Sequence, residues 1–291
     1  MTGLLRIGEL SRRAGVSPEL LRAWERRYGL VRPTRTPGGL RLYSSDDLAR
    51  VQAMQRHLAD GLAAAQAASL TLATLDAETD APPLAPKVAR LELAHALERL
   101  DEPSAQAVFD RLLAAATVEV VLTQVILPYL RELGEGWERG EISVAQEHFA
   151  SNVIRGRLLG LARGWGRGVG PVALLACLPG EHHDLGLIAF GLALRSLGWR
   201  IAYLGADTPL ETLERTAEAV EPALLVVSAT SDERLAPAVP QLTRLARNYR
   251  VGLGGSAAAG SDADHLGLLR LSGDPVAEAE RIVALDQAPV G

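Results

Sequence analysis

The chain has 291 residues, 48% of them hydrophobic and 22% charged, with a net charge of −5 and one cysteine. That length and polarity allow two or three globular domains with sizeable cores. No apolar run approaches the ~20 residues a bilayer span needs, Met1 to Arg6 lacks the apolar core of a signal peptide, and the cytoplasm is the expected compartment.

A single cysteine excludes an intrachain disulfide and a cysteine zinc cage; Cys177 lies within an apolar run and reads as a small core residue. Charge is unevenly spread. Residues 1–75 hold eleven arginines against six acids, a surplus of five, so the remaining chain carries −10. A basic end on an acidic protein suggests that one module meets a polyanion while another does something else.

In the first module Ile7, Leu10, Ala14 and Val16 give a short helical face, broken at Gly15-Val16-Ser17-Pro18. Ser17 is placed to cap a second helix and Pro18 to occupy its first position. Leu20, Leu21 and Trp24 would pack inward, leaving Arg22, Glu25, Arg26 and Arg27 for solvent or phosphate. Helix, tight turn and arginine-rich second helix is the helix-turn-helix arrangement, whose second helix enters the major groove. Val31 to Tyr43 then offers two extended segments around Pro37-Gly38-Gly39, a hairpin signal, with Arg32, Arg35 and Arg41 along it. A basic hairpin beside a reading helix is a wing. Ser44 is expected to cap a helix beginning at Asp46-Asp47, closing a domain near residue 75.

These residues resemble the MerR family of transcription regulators. The resemblance is carried by Ile7-Gly8-Glu9-Leu10, Gly15-Val16-Ser17, the run Leu21 to Leu30, and Arg35 to Gly39 with Arg41 to Ser44. It implies binding to double-stranded DNA through Ser17, Arg22, Trp24, Arg26, Arg27, Tyr28, Arg35, Arg41 and Tyr43. Typical members continue into a long coiled coil that makes the dimer. Here the sequence instead turns alanine-rich after Leu58, and Asp76 to Pro86, acidic and proline-rich, reads as a linker.

From Lys87 to about residue 168 the pattern is helical and predicts a four-helix bundle. Leu91, Ala94, Leu97 and Leu100 form one face; Ala107, Val108, Leu112 and Leu113 form another; Val118 to Leu133 carries Pro128; and a last helix starts near Ser143. Trp137, read as a loop residue after Gly134 and Gly136, is separated from Glu147-His148 by nine residues. Spacing alone favours a core tryptophan and a surface Glu–His pair. The other reading is a flat lid with two polar groups aimed at a ligand.

From residue 169 onward strand and helix signals alternate. Strands are expected at Val172 to Leu178, Arg200 to Leu204, Ala223 to Ser228, Arg250 to Leu253 and Leu268 to Leu271, giving a doubly wound sheet of five parallel strands. Ligands bind such sheets at the carboxyl ends of the strands. Those ends hold Glu181 and His183, then Gly205 to Thr208, Ser228 to Thr230, and Gly254 to Ser256, all expected on one rim.

The rim resembles the cobalamin-binding domain of methionine synthase, the carbon-skeleton mutases and related regulators. Glu181-His182-His183-Asp184-Leu185-Gly186 matches that family's Asp-x-His-x-x-Gly with Glu for Asp, and Ser228 and Gly254-Gly255 match the rest. The resemblance implies that His183 ligates cobalt from below, with Glu181 on its other ring nitrogen. His182, one residue out of register, reads as a loop histidine.

Head, bundle and sheet in this order resemble the CarH/LitR group of light-responsive, cobalamin-dependent repressors. The resemblance places Trp137, Glu147 and His148 above cobalt, against the adenosyl group of adenosylcobalamin. It implies a dimer or tetramer that binds its operator in the dark and leaves DNA when light breaks the cobalt–carbon bond. In the best-known members a histidine follows the lid tryptophan and takes the upper face after photolysis; here that residue is Glu138. Activation in place of repression, cobalamin sensing without photochemistry, a domain used only for protein interaction, and a corrinoid carrier subunit are the alternatives. No catalytic residue is expected.

Overall fold

The computed structural model describes residues 5–35, 40–59, 61–80, 85–260 and 263–287, and divides into two units, Met1–Pro83 and Leu84–Gly291. The first is a winged helix-turn-helix. Helices α1 (Ile7–Ala14) and α2 (Pro18–Tyr28) are joined by a turn through Gly15, whose φ of 66° suits a residue without a Cβ. As expected, Ser17 caps α2 by accepting from Leu20 N–H at 3.3 Å. Strands β1 (Thr34–Arg35) and β2 (Arg41–Leu42) pair antiparallel; the hairpin tip at 36–39 and the Arg35 side chain lie outside the described residues.

Helix α3 (Ser45–Ala59) follows, then α4 (Ala64–Asp80), which continues into the stretch that reads as a linker. Asp47 is buried and accepts backbone N–H groups from Ser44 at 2.9 Å and Arg32 at 2.8 Å, tying the base of the wing to α3. The core is built from Leu10, Leu21, Trp24, Leu30, Tyr43 and Met54, among others.

The second unit begins with a bundle: α5 (Pro86–Glu98), α6 (Glu102–Ala115), α7 (Val118–Val121) leading through a π-helical turn at Leu122–Ile126 into α8 (Leu127–Glu138), and α9 (Val144–Leu161). Pro128, which has no N–H to donate, falls in the first turn after that π-turn. Ser143 and Gln146 close a capping box at the start of α9.

The chain then winds through β3 (Val172–Cys177), α10 (Leu185–Ser196), β4 (Arg200–Gly205), α11 (Leu210–Val220), β5 (Leu224–Ser228), α12 (Asp232–Leu235), α13 (Val239–Leu245), β6 (Val251–Gly254), α14 (Ala257–Gly260), β7 (Leu269–Leu271) and α15 (Pro275–Gln287). All five strands are parallel, in the order β4-β3-β5-β6-β7. Both faces are covered, so β3 and β5 are nearly uninterrupted apolar runs.

Alternation along β3 assigns each face. Ala173, Leu175 and Cys177 face a core shared with α10, α15 and the bundle, while Leu174, Ala176 and Leu178 face α11, α13 and α14. The bundle and the sheet thus close around one hydrophobic core. Because β3 is flanked by β4 and β5, the connections leaving β3 and β5 diverge there, opening the crevice that doubly wound sheets use for ligands.

Candidate functional site

A cavity of about 1190 Å³ opens in the second unit between the bundle and the carboxyl ends of β5, β6 and β7. It exceeds the ~300–1000 Å³ of ordinary small-molecule sites. One wall is Trp137 on α8 with Glu147, His148, Ser151 and Arg155 on α9. The opposite wall holds His183, Gly186, Ser228, Thr230, Gly254 and Gly255.

Glu181 is the fixed point of the lower wall. The Pro179-Gly180 turn after β3 brings its side chain inside the protein, fully shielded from solvent. Oε1 accepts from His183 N–H at 2.9 Å and lies 2.6 Å from His183 Nδ1; Oε2 accepts from the Thr230 N–H at 2.7 Å, its hydroxyl at 2.6 Å, and Arg234 at 3.3 Å. Burial pushes this carboxyl up, but the hydrogen bonds from Thr230 and His183 outweigh it and hold the pKa at about 2. The anion therefore fixes the His183 ring through Nδ1. Nε2 is the nitrogen left for a ligand, on a side chain 70% exposed.

Glycines let other groups approach closely. Gly255, at φ 85°, follows β6, and a Cβ there would come within 2.1 Å of the Ala229 carbonyl oxygen. Ser228 ends β5 nearly buried, and Gly254 pairs with it in the ladder. The missing side chain at Gly255 lets the turn after β6 pack directly on the backbone that follows β5.

Across the cavity, His148 Nδ1 is 2.6 Å from Glu147 Oε2, and Ser151 donates to Glu147 Oε1 at 2.7 Å. Burial raises the Glu147 carboxyl, while His148 and Ser151, with a smaller contribution from the charge of His183, bring it below its ordinary value. Trp137 is half exposed on the last turn of α8, not in a loop. Gly136 does not break the helix. It is buried against Ile142, whose Cδ1 would be 2.8 Å from a Cβ at that position. The helix ends later, where Gly140 takes φ 72°.

Other expectations change. The Gly205 to Thr208 loop does not reach the cavity: Asp207 N–H donates to the Glu181 carbonyl and its Oδ1 accepts from Gly180 N–H at 2.7 Å, bracing the turn from outside. His182 is exposed, as a loop histidine should be, yet it lines the cavity beside His183. Cys177 is buried, its thiol pushed up to about 12 by burial, and takes no part.

Sequence reasoning missed Arg155, Asp184, Tyr203 and Arg234. Buried Asp184 accepts from Arg155 Nη2 and from the Tyr203 hydroxyl, both at 2.6 Å, and the Tyr203 ring packs edge-on against Trp165. The available signal was spacing: Arg155 lies seven residues after His148, on the same face of α9.

In the first unit Arg22, Arg26 and Arg27 are exposed on α2, with Tyr28 partly so. Arg41 is partly buried and donates to Glu25 at 3.2 Å. Leu20, expected inside, is 43% exposed. Trp24 and Tyr43, expected at the DNA interface, are buried instead. At 5% and 0% exposure they are core, because their rings fill the space between α2, the wing and α3, and neither side chain is available to DNA. Ser17 commits its hydroxyl to capping α2.

The family model for MerR HTH family regulatory proteins matches residues 5–73, and models for B12 binding domains match residues 90–159 and 171–281. The chain is 37% identical over 267 residues to the HTH-type transcriptional repressor CarH of Myxococcus xanthus, covering 87% of this chain and 89% of the relative. The chain belongs to the CarH/CarA family of MerR-type transcriptional regulators. CarA of the same organism is 34% identical over 97% of this chain and 96% of its own length. The structure of the Methanosarcina barkeri monomethylamine corrinoid protein is similar to 69% of the chain and to its own full length, with a TM-score of 0.57 and 19% identity, a likeness of fold. As a CarH/CarA-family regulator the chain binds DNA through its MerR unit, and its cofactor is a cobalamin.

Proposed function

We propose that the chain is a light-responsive, adenosylcobalamin-dependent repressor, which binds its operator as a cofactor-assembled dimer or tetramer in the dark and is released when light cleaves the cobalt–carbon bond. The observation that carries this reading is the cavity of about 1190 Å³: a histidine fixed by a buried carboxylate lines it from the sheet, and Trp137, Glu147 and His148 line it from the bundle.

The residues fit the group. His183 would hold cobalt from below through Nε2, with Glu181 setting the tautomer, and neutral imidazole suits a transition metal. Gly186, Ser228, Gly254 and Gly255 would border the nucleotide tail. Trp137 would cover the adenosyl group, with Glu147 and His148 as its polar contacts. Adenosylcobalamin supplies, when bound, a carbon ligand that visible light removes.

The chain's own residues account for the rest. Arg22, Arg26, Arg27 and Arg41 would meet phosphates and base edges, with Arg35 at the wing. One winged module makes few such contacts, so assembly of several on one operator raises affinity. This is a regulator's logic, not an enzyme's.

The test is to mix the full-length apoprotein with adenosylcobalamin in the dark and measure its mass in solution and its operator affinity before and after green light. Assembly and tighter DNA binding in the dark, both lost on illumination, are expected. No change in mass or affinity with cofactor or light would overturn the reading.

A further inference from the structure

The cavity carries two imidazoles anchored in the same way. His148 Nδ1 lies 2.6 Å from Glu147 Oε2, with Glu147 held by Ser151; His183 Nδ1 lies 2.6 Å from Glu181 Oε1, with Glu181 held by Thr230. In each pair the carboxylate engages Nδ1, so the neutral ring presents the lone pair of Nε2. The two rings line one cavity from different walls, His183 from the end of β3 and His148 from α9. A histidine whose other ring nitrogen is bound to a carboxylate is the arrangement found at metal ligands, and such imidazoles suit cobalt. Glu138, next to the lid tryptophan, is exposed and does not line the cavity. His148, by contrast, lines the cavity and stays 69% exposed while Glu147 holds its Nδ1.

We propose that His148 is a second cobalt ligand, taking the upper position opposite His183 whenever that position holds water and not a carbon group. The proposal rests on the reading that this cavity binds cobalamin above His183. The step is a substitution at cobalt(III): the cobalt–oxygen bond to water breaks, water leaves with its electron pair, and the Nε2 lone pair forms the new cobalt–nitrogen bond. No electron or proton is exchanged. Glu147 acts as a positioning residue, holding Nδ1 so that Nε2 is the donor.

The experiment adds hydroxocobalamin to the full-length protein and records the absorption spectrum of wild type, His148→Ala, His148→Gln and His183→Ala. Wild type is expected to show a cobalt(III) corrin with an imidazole on both faces. His148→Ala and His148→Gln should retain cobalamin but show water or hydroxide above cobalt, and free imidazole should return His148→Ala to the wild-type spectrum. Because the side chain is exposed, both substitutions leave the fold intact, which circular dichroism checks. Identical spectra for wild type and the two His148 variants, with His183→Ala altered, would overturn this proposal while leaving the cobalamin site standing. Failure of wild type to retain hydroxocobalamin would overturn both.

Discussion

Arg155 Nη2 donates to Asp184 Oδ2 at 2.6 Å, joining the cavity face of α9 to the residue that follows His183. Asp184 is buried and also accepts from the Tyr203 hydroxyl, so one carboxylate links the bundle, the start of α10 and strand β4. The walls that carry His148 and His183 are therefore braced against each other beside the cavity, not only through apolar packing.

Removing the shared acceptor should cost more than removing one donor. Asp184→Ala leaves both Arg155 and the Tyr203 hydroxyl without it, a loss of about 1–3 kcal/mol, while Tyr203→Phe removes a single bond worth about 0.5–1.5 kcal/mol. The Arg155 side chain is 40% exposed and can recover water, which keeps the first figure from rising further. Urea unfolding of the apoprotein checks the order. Equal losses, or none, would mean the brace does not hold the walls together.

Glu181 sets a pH dependence. Its carboxyl, ordinarily near 4.5, is held at about 2 in the folded chain. The folded state thus binds its proton less readily than the unfolded state, so the stabilisation is fully present above about pH 4.5 and is lost as pH falls toward 2. Glu181→Gln should show a weaker dependence of apoprotein melting temperature on pH across that window, together with lower stability at neutral pH, where the charged hydrogen bonds are gone. Parallel melting curves for the two proteins from pH 6 to 2.5 would contradict it.

Much of this architecture is legible in the sequence because it rests on local rules. The strand at Val172 and the acid–histidine pair beyond its end are read directly, since apolar runs and the residues that end them are short-range signals. The cap at Ser17 is equally plain. Illegible were relations made by packing. Gly134 and Gly136 resemble loop residues, yet Gly136 is required by Ile142 across the turn, so Trp137 stays helical. The spacing from His148 puts Arg155 on the cavity face of α9, but its pairing with Asp184, 29 positions away, has no local signature. Trp24 belongs to a DNA-binding motif, but the same ring is the volume that fills the small domain's core.

That last distinction is measurable. Arg26→Ala should weaken operator binding and lower the slope of log affinity against log salt by about one, as loss of one phosphate contact does. Trp24→Ala should instead unfold the first unit, costing about 3–5 kcal/mol for a truncated core aromatic. A Trp24→Ala protein with wild-type melting and selectively weakened DNA binding would return that ring to the interface.

Trp137 is half exposed, although apolar rings of that size are normally buried. Leu127, Leu130 and Val144, which line the same cavity, are apolar as well. A flat ring held open in this way gains contact only when a ligand covers it, and an adenosyl group offers an aromatic base that a methyl group does not. Stacking of base on ring is worth about 1–3 kcal/mol, or roughly 5- to 150-fold in affinity. Wild type should therefore prefer adenosylcobalamin to methylcobalamin by a factor in that range, and Trp137→Ala should lose most of the preference through weaker adenosylcobalamin binding, with methylcobalamin little changed. Titrations in the dark, followed by absorbance, measure both affinities. Equal affinity of wild type for the two cobalamins would show that the ring is not a lid.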